Sequence, residues 1–168
     1  MKLPMAVPVA FAALFSGALA LAQEPVTPAS DVESLFKDKN KKLNEMKQAA
    51  YHIEKELLQC NYWDQADKWL TERYLQHNPL VASGRAGVVK FFSNNPNRPR
   101  AASCEKLTAP VVAVVADGDL VTVVTVANRK DSKGNPYTTT WFDMWRVVSG
   151  KADEHWDPAT ITPPAPAK

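Results

Sequence analysis

Residues 111–127 read VVAVVADGDLVTVVTVA, and this stretch decides the fold class. Two runs rich in β-branched residues flank the Asp-Gly-Asp at residues 117–119, a composition typical of a tight turn between antiparallel strands. Two more strands are predicted over residues 137–148 and 151–157, separated by a Ser-Gly turn. The carboxyl half of the chain is therefore predicted to be an antiparallel meander.

The chain before this meander has helical periodicity. From Asp31, which can cap a helix, apolar residues recur mostly every three or four positions up to Leu57. A charged run at residues 37–42 interrupts this stripe, which predicts a solvated face or a break near Asn40. The amino-terminal half therefore begins with a long helical region.

Two shorter helices are predicted before the strands begin. One follows Asp64, and its apolar side is expected to carry Ala66, Trp69, Leu70 and Tyr74. The other is predicted over residues 85–92, introduced by Gly84. Helices followed by a meander predict an α+β fold in which the helices pack on a strongly curved antiparallel sheet and enclose a pocket.

Composition limits the class of protein. The chain has 168 residues, 45% of them hydrophobic, and a formal net charge of +2. This size fits one domain, and this charge gives no electrostatic footprint for a nucleic acid or an anionic membrane surface. The two cysteines, Cys60 and Cys104, are too few for a four-cysteine zinc site. The sequence leaves open whether they form a disulfide or remain small buried side chains.

The ends of the chain are unlike its middle. Residues 1–22 combine a basic start, an apolar run and Ala20-Leu21-Ala22, which is typical of a signal peptide cleaved near Ala22. The protein is therefore expected to be secreted or periplasmic, with no stable membrane span after cleavage; an uncleaved anchor is the alternative. Residues 23–31 are predicted to be a flexible linker, 32–157 the folded domain and 158–168 a proline-rich tail.

Polar side chains near the end of the chain are candidates for chemistry. Strand alternation places Trp141, Asp143 and Trp145 on one face of their strand. His155 and Asp157 share one face of the next strand. A one-residue bulge at the turn would gather these groups, whereas a register shifted by one residue would separate them. The sequence leaves both registers open.

These residue types suit proton transfer. A carboxylate between apolar walls has a raised pKa and can act as an acid or a base near neutral pH, and a histidine can exchange protons beside it. The three histidines, His52, His77 and His155, lack the spacing of a metal site. We therefore expect no metal, and no glycine-rich loop indicates a phosphate-bearing cofactor.

One motif carries a resemblance. Residues 74–85 read YLQHNPLVASGR and resemble the Y-x-Q-H-N-P-x-x-x-x-G stretch of SnoaL-like proteins, which belong to the nuclear transport factor 2-like superfamily. Residues 117–121, 143–146 and 150–157 are similar to later signatures of that family. The resemblance spans residues 40–157 with its pieces in order.

The resemblance implies a cone-shaped fold, commonly a homodimer through the sheet, and polyketide cyclase-like or aldol-type chemistry without a cofactor. By motif position it implies that Asp143 and His155 handle protons, supported by Asp157, His77 and Asn78. Further candidates for contact with a substrate are Tyr74, Trp141 and Trp145. An export signal fits poorly with an intracellular polyketide pathway, which puts the usual cyclase substrate in question.

Three functions remain open at this point. The first is an acid–base enzyme, an isomerase, lyase or aldol-type cyclase, acting on a small carbonyl compound. The second is an exported protein that binds a small apolar molecule without catalysis. The third is a dimerisation module whose cone is filled by side chains. A carboxylate at the wall of an apolar cavity would favour the first.

Overall fold

The computed structural model describes residues 23–161, which form helices followed by a five-stranded sheet. The predicted signal peptide and residues 162–168 of the predicted tail lie outside the described residues. Within residues 23–161, no helix has the length and apolar character needed to cross a membrane.

The helical part begins where the caps predict. The elements are α1 (Val32–Leu35), α2 (Lys41–His52), a π-helical segment (Ile53–Gln59), a 3₁₀ helix (Trp63–Lys68) and α3 (Arg85–Ser93). The Asp31 carboxylate accepts the Ser34 backbone N–H, and the Asn40 side chain accepts two N–H groups at the start of α2. The predicted break near Asn40 is confirmed, because Asn40 caps a new helix.

The strands are β1 (Leu70–Gln76), β2 (Val111–Asp117), β3 (Leu120–Lys130), β4 (Pro136–Val148) and β5 (Lys151–Trp156). Their order across the sheet is β1-β5-β4-β3-β2. All neighbours are antiparallel except β1, which runs parallel to β5. The predicted α+β class and the carboxyl-terminal meander are confirmed.

One predicted element is wrong. The helix expected to run through Tyr74 ends at Lys68, and Leu70–Gln76 is strand β1. Leu70 and Tyr74 are both buried, and a spacing of four residues places them on one face in a helix and in a strand alike. The local pattern was therefore ambiguous, and pairing with β5 decided it.

The hairpin between β4 and β5 has the register that gathers the polar groups. Arg146 lies opposite Glu154 and Trp145 opposite His155, but Val147 lies opposite Ala152. The extra residue between the last two pairs is Asp153, so β5 bulges there rather than at the turn. The bulge keeps His155 on the inner face of the sheet, beside Asp143.

The core lies between the helices and the inner face of the sheet. Among its fully buried side chains are Phe36, Leu57, Leu70 and Trp145. Cys60 and Cys104 form a disulfide that ties the end of the helical region to the loop before β2. The sequence left open whether these two cysteines are bonded, and in the structure they are.

Before α1, the chain lies along the sheet. The Val26 N–H donates to Thr138 Oγ1 at 2.8 Å, and the Ala29 N–H donates to the Val111 carbonyl at 2.8 Å. The segment predicted to be a linker therefore contacts β4 and β2 at these two points.

Candidate active site

A cavity of about 350 Å³ lies between the helices and the inner face of the sheet. Its apolar wall comes mainly from the π-helical segment and α3, including Leu57, Val88 and Phe92. Polar groups from β1, β4 and β5 line the sheet side. The cavity is thus an apolar chamber with a polar patch, the usual form of a small-molecule site.

Asp143 and His155 form the centre of the polar patch. His155 Nε2 lies 3.0 Å from Asp143 Oδ1, and the two side chains are only 7% and 13% exposed respectively. The β4–β5 register brings them together, because Asp143 and Trp145 lie on the inner face and His155 lies opposite Trp145. The predicted association of Asp143 with His155 is present.

Gln76 determines which ring nitrogen of His155 carries a proton. The Asn78 backbone N–H donates to Gln76 Oε1 at 3.0 Å, so this atom is an oxygen acceptor. His155 Nδ1 lies 2.7 Å from the same oxygen and must therefore donate its own hydrogen. Nε2 is left facing Asp143, so that a proton can pass between this nitrogen and the carboxylate.

Asp157 and Asn78 lie beside this pair. The Asn78 side-chain amide donates to Asp157 Oδ2 at 2.7 Å, and the Ala159 N–H donates to Oδ1 at 2.9 Å. Asp157 Oδ2 lies 4.0 Å from His155 Nδ1. The second carboxylate is therefore held near the imidazole by two donors and does not displace Gln76 from it.

Tyr74 presents a neutral phenol to the cavity. Its oxygen accepts the Trp145 indole N–H at 3.1 Å. Burial raises the pKa of Tyr74 above its ordinary value, so the hydroxyl keeps its proton at neutral pH. Within residues 23–161 this hydroxyl has no acceptor, which leaves its proton available to a ligand.

Glu54 is an acidic residue that sequence reasoning missed. It lies at the start of the π-helical segment, is 5% exposed, and its Oε1 has no hydrogen-bond partner within residues 23–161. Burial, with a smaller contribution from the charge of Asp143, raises the pKa of Glu54 to about 8. A signal was present, because Glu54 lies four residues after Ala50 and three before Leu57, on the apolar stripe.

Asp143, His155 and Asp157 are close enough to be considered as metal ligands. One ligand atom from each lies within 4.8 Å of the others. However, both nitrogens of His155 and both oxygens of Asp157 already have protein partners. We therefore interpret the group as a hydrogen-bonded network, and the absence of a metal in function stays a prediction.

The structure brings most of the predicted site residues together. Those that line the cavity are Tyr74, Asn78, Trp141, Asp143, Trp145, His155 and Asp157. His77 is not among them. Its Nε2 lies 2.8 Å from Glu154 Oε1, and its ring stacks on Trp156 with centroids 5.1 Å apart.

His77 therefore lies on the outer face of the sheet. A ligand in the cavity would contact other residues and not His77. Gln76 takes the neighbouring place in the cavity and was missed among the candidates. The signal for it was strand alternation, which was hidden while Tyr74 was assigned to a helix.

Comparison with solved structures supports the fold. A candidate polyketide cyclase from Bacillus cereus is 18% identical, with a TM-score of 0.50, and the alignment covers 83% of this chain and 87% of that one. A candidate SnoaL-like polyketide cyclase from Jannaschia sp. CCS1 is 12% identical with a TM-score of 0.50, covering 73% and 91%.

A nuclear transport factor 2-like protein of unknown function from Burkholderia pseudomallei is 14% identical with a TM-score of 0.47, covering 69% and 91%. No curated protein sequence matches the chain significantly. The model of the SnoaL-like domain matches residues 56–155, which is more than half of the chain and includes Tyr74, Asp143 and His155. The chain therefore belongs to the SnoaL-like domain family, and it shares its fold with the two cyclase candidates compared above.

Proposed function

We propose that this protein is a cofactor-independent acid–base enzyme that moves a proton at the carbon next to the carbonyl group of a small molecule. The reaction class is isomerase, lyase or aldol-type cyclase. One observation carries the proposal: Asp143 and His155 form a hydrogen-bonded pair at the wall of an apolar cavity. Two solved structures of the same fold are described as candidate polyketide cyclases, a description compatible with this reaction class.

In this reaction Asp143 would act as the base. The C–H bond next to the carbonyl breaks, its proton goes to the Asp143 carboxylate, and its electron pair forms an enolate with the carbonyl group. Return of the proton to another carbon gives an isomer. Attack of the enolate on a second carbonyl forms a carbon–carbon bond and an alkoxide, which takes the proton from Asp143 to give an aldol product. His155, fixed through Nδ1 by Gln76, would exchange the proton with Asp143 through Nε2.

Tyr74 would stabilise the enolate oxygen. The Trp145 N–H binds one lone pair of the tyrosine oxygen and leaves the O–H free to donate. Because burial keeps this phenol protonated, it can donate to the carbonyl oxygen as negative charge develops there. Asp143 would then act on the C–H group, and Tyr74 would act on the oxygen of the neighbouring carbonyl.

The test is proton–deuterium exchange by NMR on small 1,3-dicarbonyl compounds and β-hydroxy ketones in heavy water. We expect wild type to catalyse exchange and Asp143→Asn to lose it by a factor of roughly 10²–10⁴. The matched control is Asp119→Asn, which removes a carboxylate that pairs with Arg146 outside the cavity. Exchange that survives in Asp143→Asn would contradict the proposal.

A binding protein without catalysis is the second candidate. It is favoured by the aromatic walls of the cavity, which include Trp63, Phe92 and Trp141. Such a protein would bind an apolar molecule, and neither wild type nor Asp143→Asn would catalyse exchange. Tryptophan fluorescence during titration with the same compounds would detect this binding.

We also propose that the protein forms a homodimer through the outer face of the sheet. Val115, Phe142 and Val148 are 62%, 46% and 47% exposed on this face, as an apolar interface requires. Light scattering coupled to size exclusion should give the dimer mass, and Phe142→Glu should give the monomer. A monomeric wild type would contradict the proposal.

Export of the protein likewise stays a proposal. The Cys60–Cys104 disulfide supports it, because structural disulfides persist mainly in oxidising compartments. Amino-terminal sequencing of the protein recovered from the periplasm or medium should begin near Gln23. Recovery of the uncleaved chain from membranes would support the anchor instead.

A further inference from the structure

Arg98 lines the same cavity as the acid–base pair, but it comes from a different part of the fold. It belongs to the loop between α3 and β2, whereas Asp143 and His155 belong to the sheet. Within residues 23–161, no carboxylate lies within 4.0 Å of its guanidinium. An arginine without an ionic partner at a cavity wall needs an explanation.

The loop holds Arg98 in place. One guanidinium nitrogen donates to the Leu58 carbonyl near the end of the π-helical segment, and the Asn61 side chain donates to the Arg98 carbonyl. The Ala101 N–H donates to the Cys60 carbonyl at 2.9 Å, and the disulfide to Cys104 closes the loop. Arg98 is thus positioned before a ligand arrives, and among residues 23–161 most of its five N–H donors have no acceptor.

The nearby acidic groups leave the charge of Arg98 uncompensated. Glu54 lines an adjoining cavity that Arg98 also lines. Burial raises the pKa of Glu54 to about 8, so this carboxyl is mostly neutral at pH 7. Asp143 and Asp157 lie on the sheet side, where Asp143 is engaged by His155 and Asp157 by Asn78.

From this arrangement we infer that Arg98 binds an anionic group of the substrate, so that the substrate is a carbonyl compound bearing a carboxylate or a similar anion. The inference rests on the proposed function for the reacting carbonyl, but it concerns the other end of the ligand. The carboxylates on the sheet side would repel the anion, and Arg98 on the loop side would attract it. A planar guanidinium with free N–H donors is suited to bind a carboxylate by two hydrogen bonds. The charge distribution would therefore orient the substrate with its C–H acid toward Asp143.

The test compares two ligands that differ only at the end remote from the reacting ketone, 7-oxooctanoate and 2,8-nonanedione, in which an acetyl group replaces the carboxylate. Calorimetric titration of wild type should show at least ten-fold tighter binding of the anion. Arg98→Gln should remove this preference while leaving affinity for the dione within about two-fold. Arg98→Lys should keep a reduced preference, because it retains the charge but not the planar donor pair.

The matched control is Arg100→Gln on the same loop, where Arg100 pairs with Asp64 outside the main cavity. This variant should keep the full preference for the anion. Circular dichroism and the thermal midpoint would show whether each variant folds. If Arg98→Gln does not fold, salt gives a second readout on wild type: raising it should weaken binding of the anion and leave the dione unaffected.

Equal affinity of wild type for the two ligands, a preference that survives in Arg98→Gln, or binding of neither compound would overturn the inference. The proposed function fails separately. Asp143→Asn should lose proton exchange but keep the preference for the anion. A preserved preference in a wild type that catalyses no exchange would reject the chemistry and keep the anion subsite.

Discussion

The two faces of the sheet each carry one histidine hydrogen-bonded to a carboxylate. On the inner face His155 lies 3.0 Å from Asp143, and on the outer face His77 lies 2.8 Å from Glu154. The distances are nearly equal. The surroundings differ, because the side chain of His155 is 7% exposed and that of His77 is 48% exposed.

The partners of the two carboxylates also differ. Glu154 shares its charge with Arg146, and hydrogen bonds from His77 and Arg146 hold the pKa of Glu154 below its ordinary value. Asp143 has no arginine or lysine within 4.0 Å in the described part of the chain, and its partner is an imidazole whose other nitrogen is fixed by Gln76. The comparison teaches that a histidine–carboxylate hydrogen bond is a surface contact in one environment and a candidate proton-transfer site in another.

The largest expected effect separates the two histidines in catalysis. His155→Gln should lower the rate of deuterium exchange by about 100-fold or more, because the proton partner of Asp143 is lost. His77→Gln should leave the rate within about two-fold, because the ring lies outside the cavity. The exchange rates of both variants would be measured by NMR. An equal loss of rate in the two variants would contradict the difference proposed between the two histidines.

The next effect concerns the pH dependence of stability and the buried Glu54. Below pH 4.5 Glu54 is protonated in the folded and the unfolded chain. Between pH 4.5 and about 8 only the folded chain keeps the proton, so the free energy of unfolding should fall by about 1.4 kcal/mol per pH unit from this group. The stabilisation is lost once pH rises through about 8.

Glu54→Gln should remove this slope, which amounts to about 4 kcal/mol between pH 5 and pH 8. Urea unfolding at several pH values would measure the difference between wild type and variant. Glu45→Gln, at an exposed position on α2, is the control and should leave the slope unchanged. Parallel curves for wild type and Glu54→Gln would show that Glu54 titrates like an exposed glutamate.

A smaller effect tests the role of Gln76. Gln76→Leu should lower the exchange rate by about ten-fold, as is common when the group that orients a functional histidine is removed. It should also change the ¹⁵N shifts of the His155 ring, because Nδ1 loses its acceptor. The control is Gln65→Leu, on the 3₁₀ helix and away from the cavity. Unchanged ring shifts in Gln76→Leu would reject the assigned tautomer.

The smallest effect concerns the outer pair. His77→Gln should lower the free energy of unfolding by about 1 kcal/mol or less, because an exposed polar contact contributes little even when both partners are charged. Raising the salt concentration should reduce even this difference. A loss of several kcal/mol in chemical unfolding would show that the outer pair is a structural element and not a screened surface contact.

Much of the fold was predictable from local patterns. The meander, its turns and the cap at Asn40 follow from β-branched runs, glycine and capping side chains, which act within a few residues. Strand β1 was not predictable in the same way, because the spacing of Leu70 and Tyr74 suits both a helix and a strand. Its pairing with β5 involves residues about 80 positions away.

The site was predictable in part. Asp143, His155 and Asp157 followed from strand alternation, given a register that the sequence left open. Gln76 and Glu54 were missed, the first because β1 was assigned to a helix and the second because an acidic residue was not counted as part of the apolar stripe on which it lies.

By itself, the sequence determined the α+β class, the resemblance to SnoaL-like proteins and the residue types that can carry protons, because these depend on local periodicity and motif order. Only the tertiary structure decided which histidine meets which carboxylate. A bulge at Asp153 sets the register, and that register places His155 inside the cavity beside Asp143. Such a choice depends on packing of the whole sheet against the helices, because a shift of one residue reverses the face of every side chain in a strand.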